Sequence, residues 1–92
     1  MMEIKHKKEE RKYVLELPKG LEAYVEYIAN EQNELMLVHS EVPYQLRGQG
    51  IGEKLVLKTF EKLTEEGYTA KAICGYIRKV AVNHNKWNKI IR

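Results

Sequence analysis

A glycine-rich segment in the middle of the chain has the composition of an anion-binding loop. It reads Arg47-Gly48-Gln49-Gly50-Ile51-Gly52. The three glycines have no Cβ atom, so we expect left-handed dihedral angles that direct several backbone N–H groups at one oxygen-rich ligand. A helix beginning near Gly50 would add the unpaired N–H groups of its first turn, and Arg47 would add a permanent positive charge. The segment therefore predicts a phosphate or pyrophosphate site.

Two known phosphate motifs do not explain this segment. Its spacing is G-x-G-x-G, whereas a dinucleotide-binding fold has G-x-G-x-x-G and an acidic ribose ligand about 20 residues later. No Gly-Lys-Ser/Thr sequence follows, so the segment is not a P-loop. The segment is therefore either an anion-binding loop or an ordinary flexible connection. The elements on either side of the loop distinguish these two interpretations.

Cys74 is the single cysteine of the chain, and two interpretations of it stay open. A free cysteine is more often a small buried apolar residue than a nucleophile. Cys74, however, is predicted to end a strand and to precede a helix N-terminus, a position that lowers the pKa of a thiol. Open α/β sheets also bind ligands at such strand ends. Cys74 is therefore either a packing residue or a reactive thiol.

Two histidines and a glutamate are further candidate site residues, and the histidines do not indicate a metal site. His39 and Glu41 alternate with Ser40, so both lie on one face of a predicted strand, as a base or proton relay or as a solvated pair. His84 falls on the buried face of a predicted helix, as a hydrogen-bonded core histidine, a helix cap or a site residue. The histidines and Cys74 show no zinc-binding spacing, so no metal is predicted.

The residues before the loop predict three strands joined by short turns. β-rich runs over 13–17 and 21–27 flank a Pro-Lys-Gly turn, which predicts a hairpin. The apolar run 35–38 predicts a central strand buried on both faces. Pro43 predicts the place where this strand splays from the sheet, because proline has no N–H to donate. Residues 1–9 are mostly charged and predict a frayed end or an edge strand.

A helix, a strand and a second helix follow the loop. Apolar residues at helical spacing predict a helix from about Gly50 to Glu66 that packs on the sheet, with Gly67 just beyond its end. Residues 68–74 predict a strand parallel to the third, because a strand–helix–strand connection crosses over. Residues 75–83 predict a short helix. The tail after it is expected to be held to the domain by Trp87, Ile90 and Ile91.

This order of elements predicts an α+β fold with an α/β-like core, as one domain over residues 1–92. It consists of a three-stranded antiparallel meander, a βαβ crossover and a short C-terminal helix. Hydrophobic residues at 43% and charged residues at 32% agree with a small globular core. No apolar run reaches the ~20 residues that span a bilayer, and no signal peptide is evident. A cytoplasmic location is expected, in agreement with the unpaired cysteine.

Charge is distributed unevenly along the chain. Residues 71–92 carry six basic groups and no acidic one, whereas residues 13–70 carry five basic and ten acidic groups. The basic end suits an anion such as nucleic acid, an acidic membrane surface or the phosphates of a nucleotide cofactor, or it is a solvated face. Because Tyr76 and Trp87 could stack on bases, a small nucleic-acid-binding domain is one alternative function.

The block from residue 39 to residue 52 resembles a known family. Arg47, Gly50 and Gly52 match the Arg/Gln-x-x-Gly-x-Gly/Ala signature of the GNAT superfamily of acetyl-CoA-dependent N-acetyltransferases. The whole block is similar to the H-T-E-V-P and L-R-G-Q-G-I-G runs of very short GNAT-like proteins, the YjdJ type. The likeness covers roughly residues 10–90 and includes Cys74, Tyr76, His84 and Trp87.

The resemblance implies a truncated GNAT fold that binds acetyl-CoA or CoA and moves an acetyl group to an amine of a small molecule or a protein. It implies cofactor contacts from Val42, Gln45, Leu46, Arg47, Gly48, Gln49, Gly50, Ile51, Gly52, Tyr76 and His84. Cys74, Glu41 and His39 become the catalytic candidates, with Cys74 as an acetyl acceptor. The chain lacks the helical segment that helps to shape the acceptor site in larger relatives. A CoA-binding module without turnover is therefore a second alternative, and a monomer or weak dimer is expected.

Overall fold

The computed structural model describes residues 3–91, so the predictions that concern Met1, Met2 and Arg92 lie outside the described residues. The described residues form five strands and two α-helices, in the order β1 (Ile4–Lys7), β2 (Lys12–Glu16), β3 (Glu22–Ala29), β4 (Glu34–Glu41), α1 (Ile51–Glu65), β5 (Thr69–Ala72) and α2 (Gly75–Val82). The strands form one sheet in the order β1-β2-β3-β4-β5. Strands β1 to β4 are antiparallel, and β5 is parallel to β4.

This topology confirms the predicted α+β fold with its meander, its βαβ connection and its short C-terminal helix. The first strand is the main addition, because β1 pairs with β2 at the edge of the sheet and extends the meander from three strands to four. Of the two alternatives for the start of the chain, the structure selects the edge strand for Ile4–Lys7. No helix within residues 3–91 is long and apolar enough to cross a membrane.

One face of the sheet forms the core together with both helices. Its buried side chains alternate along each strand and lie opposite one another across the strands. They are Tyr13, Leu15, Ala23, Val25, Tyr27, Leu35, Leu37, Ala70 and Ala72. The continuous apolar run at 35–38 is therefore not buried on both faces as predicted, because Met36 and Val38 point away from the helices and are only partly buried. The alternation of a one-sided sheet explains this difference.

Helix α1 covers this core face with a stripe of buried side chains that recurs at helical spacing. The stripe consists of Leu55, Val56, Thr59, Phe60 and Leu63. The buried Thr59 hydroxyl donates to the Leu55 carbonyl over 2.7 Å, so its burial leaves no donor unpaired. Gly67 has a φ of +89° and closes the helix in the left-handed conformation that the sequence predicts.

The opposite face of the sheet, called the outer face here, carries no helix within residues 3–91. It is a mixed surface on which exposed charged side chains lie beside apolar ones. Lys5 forms an ion pair of 3.2 Å with Glu16, and Lys7 lies 3.7 Å from Glu22. Because these pairs are exposed to solvent, they contribute little to stability.

Strand β4 separates from β5 near its middle. The parallel pairing extends only from Glu34 to Leu37 of β4, and the N–H groups of Ile73 and Cys74 both donate to the Leu37 carbonyl, over 3.0 and 2.9 Å. The register between β3 and β4 shifts at the same point, so that Val38 is an extra residue. A β-bulge of this kind bends its strand. The splay thus begins at Val38 and not at Pro43, where the sequence predicted it.

A buried polar and aromatic cluster attaches β1 to the sheet and to the end of α1. The His6 ring stacks on the Tyr13 ring with a centroid distance of 4.1 Å, and its Nε2 atom is hydrogen-bonded to the Tyr27 hydroxyl. The Tyr13 hydroxyl donates to Glu66 over 2.8 Å. Nδ1 of His6 lies 3.0 Å from Glu66 but without the alignment of a hydrogen bond. Burial and the Glu66 carboxylate raise the pKa of Tyr13, so its hydroxyl remains a donor.

The residues after α2 form consecutive turns that return to the core. Trp87 and Ile91 are 4% and 6% exposed, and the Trp87 ring lies 5.4 Å from the ring of Phe60. Ile90 is 45% exposed, so its predicted role in holding the tail is wrong. Trp87 and Ile91 share one side of the turns because the N–H of Ile91 donates to the Trp87 carbonyl over 2.9 Å.

We predict that Ile91→Ala destabilises the protein by about 2 kcal/mol, the lower end of the range for a buried isoleucine, because this terminal segment can adjust around the cavity. Ile90→Ala is the matched control and should change the free energy of unfolding by less than about 0.5 kcal/mol, because its side chain is exposed. Urea denaturation measures both values. Equal losses for the two variants would contradict the burial of Ile91.

Candidate functional site

A pocket of about 500 Å³ opens where the end of β4 meets the first turns of both helices. Its volume lies within the range of small-molecule sites. The lining consists of His39, Ser40, Glu41, Val42, Leu46, Arg47, Gly48, Gly50, Gly52 and Tyr76. All of these except Ser40 are residues that the sequence assigns to a site. The structure thus brings together most of the predicted catalytic and cofactor residues.

The glycine loop has the backbone conformation of an anion cradle. Gly48 and Gly50 have φ angles of +83° and +77°, and α1 begins directly after them. The N–H of Lys54 donates to the Gly50 carbonyl over 3.3 Å, so the N–H groups of the three residues between them precede the ladder of helical hydrogen bonds. These groups and the positive end of the helix dipole favour an anion at this edge of the pocket.

Gly52 has a different role from the other two glycines. It lies inside α1 and has no positive φ angle, so the expectation of a left-handed conformation is wrong for this residue. A Cβ atom on Gly52 would lie 3.1 Å from the Tyr76 hydroxyl and 3.3 Å from its ring. A side chain at residue 52 would press on the Tyr76 ring, so glycine allows Tyr76 to pack directly against the start of α1.

Tyr76 places a hydroxyl group beside the anion cradle. Its side chain is 43% exposed and lines the pocket. Burial raises the pKa of Tyr76, and the negative charge of Glu53 raises it further. The hydroxyl is therefore protonated at neutral pH and can donate a hydrogen bond or a proton.

Arg47 connects the glycine loop to the end of β4. Its Nη2 atom lies 3.1 Å from a carboxylate oxygen of Glu41, and its Nε donates to the Val42 carbonyl over 3.3 Å. The guanidinium group also lies 5.8 Å from the centroid of the Tyr44 ring. These contacts hold a positive charge at the mouth of the pocket, where an anionic ligand would compete with Glu41 for it.

His39 and Glu41 form the side-chain pair that their alternation predicts. His39 Nε2 lies 3.1 Å from a carboxylate oxygen of Glu41. The hydrogen bond with His39 holds the pKa of Glu41 below its usual value, and Arg47 lowers it further. Glu41 is therefore a carboxylate that orients its neighbours and is a weak base, which leaves the imidazole of His39 as the candidate general base of the pair.

Cys74 is the N-cap residue of α2 and lies beside the pocket. Burial raises the pKa of its thiol, but the backbone N–H groups of Ile77 and Tyr76 at the start of α2 and the neighbouring Ser40 lower it, so that the pKa falls below its ordinary value. This agrees with the predicted effect of a helix N-terminus. The thiol is half-buried and does not itself line the pocket.

Ser40 is the site residue that sequence reasoning missed. Its hydroxyl lies 3.7 Å from the Cys74 sulfur, and it lines the pocket. The signal was present in the alternation of β4, because a residue between His39 and Glu41 must point to the opposite face. The prediction that Cys74 ends a strand is wrong, because β5 ends at Ala72. What the sequence did not reveal is that Cys74, two residues later, lies beside Ser40.

The remaining predicted cofactor residues lie around the pocket without lining it. Gln45 and Gln49 are exposed, and Ile51 packs against the core. His84 lies beyond the end of α2 and is neither buried nor on its apolar face; its Nε2 atom lies 3.2 Å from Glu53 of α1. The helix ends at Val82, two residues before His84, which is why the helical spacing misplaced it. Within residues 3–91, no three His, Cys, Asp or Glu side chains form a group that could hold a metal ion.

Comparisons with known proteins agree with this arrangement. The structure is similar to a solution NMR structure of a GCN5-like candidate N-acetyltransferase from Staphylococcus aureus, with a TM-score of 0.69 and 25% sequence identity over 98% of this chain and 87% of that one. No curated protein matches the sequence significantly. The model of the GCN5-related N-acetyltransferase family matches residues 12–90, which include the whole pocket. The chain therefore belongs to the GCN5-related N-acetyltransferase family.

Proposed function

We propose that the protein binds acetyl-CoA in the pocket and transfers its acetyl group to an amine. The observation that carries this proposal is the cradle at the start of α1, where two left-handed glycines, free N–H groups and Arg47 converge. This arrangement suits the two negative charges of a pyrophosphate. Family membership supports acetyl transfer in general, and the cradle supports CoA as the carrier of the acetyl group.

The splay of β4 supports a position for the rest of the cofactor. Beyond Leu37, the side of β4 that faced β5 has no strand partner within the described chain. The amides of the pantetheine arm could pair with the N–H and C=O groups on this side as an added strand would. Such pairing leads from the cradle toward Ser40 and Cys74, and it would bring the thioester close to the thiol.

The chemistry of the side chains supports a covalent route through Cys74. The thiolate attacks the thioester carbon, a new C–S bond forms, the bond to the CoA sulfur breaks, and the departing thiolate takes a proton from the Tyr76 hydroxyl. An amine then attacks the acetyl-cysteine, a C–N bond forms, the Cys74 thiolate leaves, and the proton lost by the amine nitrogen returns to the Tyr76 phenolate. The lowered pKa of Cys74 supplies the thiolate for the first step.

Direct transfer to the amine is the second candidate mechanism, and the His39–Glu41 pair favours it. The Glu41 carboxylate orients the imidazole over 3.1 Å. His39 can then take the proton of an amine that attacks acetyl-CoA directly. In this route the Cys74 thiol would have only a packing role, so experiments on Cys74 distinguish the two routes.

We predict that Gly50→Ala weakens CoA binding at least about tenfold, because the strained backbone moves N–H groups that each contribute about 1.5 to 3 kcal/mol as charged hydrogen bonds. Gly67→Ala is the matched control, since Gly67 also has a positive φ angle and open space around it but lies at the other end of α1. Calorimetric titration with CoA measures both affinities. Undiminished affinity in Gly50→Ala would show that the cradle does not hold the cofactor.

We predict that Cys74 reacts with iodoacetamide faster at pH 7 than a free cysteine does, because a lowered pKa gives a larger thiolate fraction below the ordinary pKa. This difference in reaction rate should vanish as the pH rises above the ordinary pKa of a thiol, because both thiols are then ionised. In Ser40→Ala the pH profile should move toward higher pH, and in Ser40→Thr it should not, because threonine keeps the hydroxyl. A profile equal to that of a free thiol in the wild-type protein would contradict the lowered pKa.

We predict that incubation with acetyl-CoA alone adds one acetyl group to the protein. The adduct should be removed by hydroxylamine, as a thioester is, and should be absent in Cys74→Ala. The variant should bind CoA with unchanged affinity, which separates chemistry from binding. Full acetyl transfer to an amine by Cys74→Ala would instead establish the direct route, and CoA binding without any acetyl transfer would identify a binding module.

A further inference from the structure

Four side chains form a row on the outer face that continues from the pocket. Tyr24 and Glu26 of β3 lie directly opposite Glu41 and His39 of β4, so all four share the face that no described helix covers. His39 and Glu41 also line the pocket. This set, called the outer row here, therefore joins the candidate site to an open surface.

The Tyr24 ring of the outer row already holds an ammonium group. Lys12 Nζ lies 4.4 Å from the centroid of the Tyr24 ring, well within cation–π distance. The Tyr24 and His39 rings lie 6.3 Å apart, so the ammonium is held one ring away from the pocket. The contact is internal to the chain and shows what kind of group this ring accepts.

The Glu26 carboxylate of the outer row is available for a second contact. The Cα atom of Lys12 lies opposite that of Glu26, yet within residues 3–91 no ion pair joins Glu26 to a basic side chain. Glu41, in contrast, is held by His39 and Arg47. A carboxylate, an aromatic face and an imidazole thus lie together where a cation could contact all three.

We propose that the outer row binds the ammonium end of the acetyl acceptor, and that Lys12 occupies this position until the acceptor displaces it. The ligand is a primary alkylammonium on a flexible chain, such as a lysine side chain of a peptide. The proposal rests on the proposed function in one respect, namely that the acceptor is an amine. Tyr24 and Glu26 recognise the charge, and Lys12 competes with it.

The position of His39 gives this arrangement a chemical consequence. An ammonium group must lose a proton before it can attack a thioester, and His39 both lines the pocket and has its ring 6.3 Å from the Tyr24 ring. One proton passes from the ammonium nitrogen to the imidazole, the amine attacks the carbonyl carbon and the C–N bond forms, and the departing thiolate takes the second proton that the nitrogen loses. Recognition and deprotonation therefore occur at neighbouring groups of the same row.

Removal of the competing charge provides the sharpest test. Lys12→Met keeps a flexible apolar side chain without the ammonium. It should lower the Kd and the KM for Nα-acetyl-lysine methylamide, whose side-chain amine is free, about two- to fivefold. This change corresponds to one exposed cation–π contact. Lys5→Met is the matched control, because it removes the same charge from the same face, where Lys5 pairs with Glu16 outside the row. It should leave both constants unchanged.

Variants of the recognition groups should act in the opposite direction. Glu26→Gln should raise the KM about two- to fivefold through loss of a partly exposed charge pair. Tyr24→Leu should raise it to a similar extent, whereas Tyr24→Phe, which keeps the ring, should not. Unchanged KM values in Glu26→Gln and Tyr24→Leu, or equal changes in Lys12→Met and Lys5→Met, would overturn the proposal.

A binding measurement separates this inference from the proposed function. The amine is titrated into the protein without acetyl-CoA, and the NMR signals of the Tyr24 ring and the His39 imidazole are followed. If these signals shift with a Kd that falls in Lys12→Met, while no variant transfers acetyl groups, the recognition site stands and the proposed function fails. If acetyl transfer occurs but these signals do not respond to the amine, the acceptor binds elsewhere and the inference fails.

Discussion

A single carbonyl group sets the geometry on which the site depends. The Leu37 carbonyl accepts hydrogen bonds from both Ile73 and Cys74, so the parallel ladder between β4 and β5 ends at this point. Because Val38 is an extra residue in β4, this strand bends at the point where its pairing with β5 ends. The two strands separate, and the gap between them becomes the start of the pocket. The same pair of hydrogen bonds positions Cys74 at the N-terminus of α2.

The features predicted well from the sequence are those fixed by local chemistry. The spacing of apolar residues predicts helix α1, and Gly67 predicts its C-terminal end, because both features depend only on neighbouring residues. The left-handed conformation of Gly48 and Gly50 was predicted for the same reason. The His39–Glu41 contact needed only the alternation of a strand. In each of these cases, the residues that decide the structure lie within a few positions of one another.

The features that the sequence did not reveal arise from contacts between distant segments. The space beside Gly52 is occupied by the Tyr76 ring, 24 positions later in the chain. The bulge at Val38 depends on the register between β4 and β3. No local sequence pattern specifies this register. Ser40 acquires its role only because β5 brings Cys74 beside it. Prediction from one sequence therefore located the pocket but did not establish which residues complete it.

The open outer face has a consequence for the range of acceptors that such a small domain can accept. An enclosed cavity rejects a longer substrate by steric exclusion, whereas a flat sheet surface leaves the remainder of the molecule in solvent. In the proposed acceptor site, Tyr24 and Glu26 contact only the charged end of the acceptor, so they do not select for the length of the chain that carries it. Selectivity on such a surface comes from charge and from the reach of the amine to the thioester. The proposed acceptor site is thus suited to amines carried on large molecules as well as on small ones.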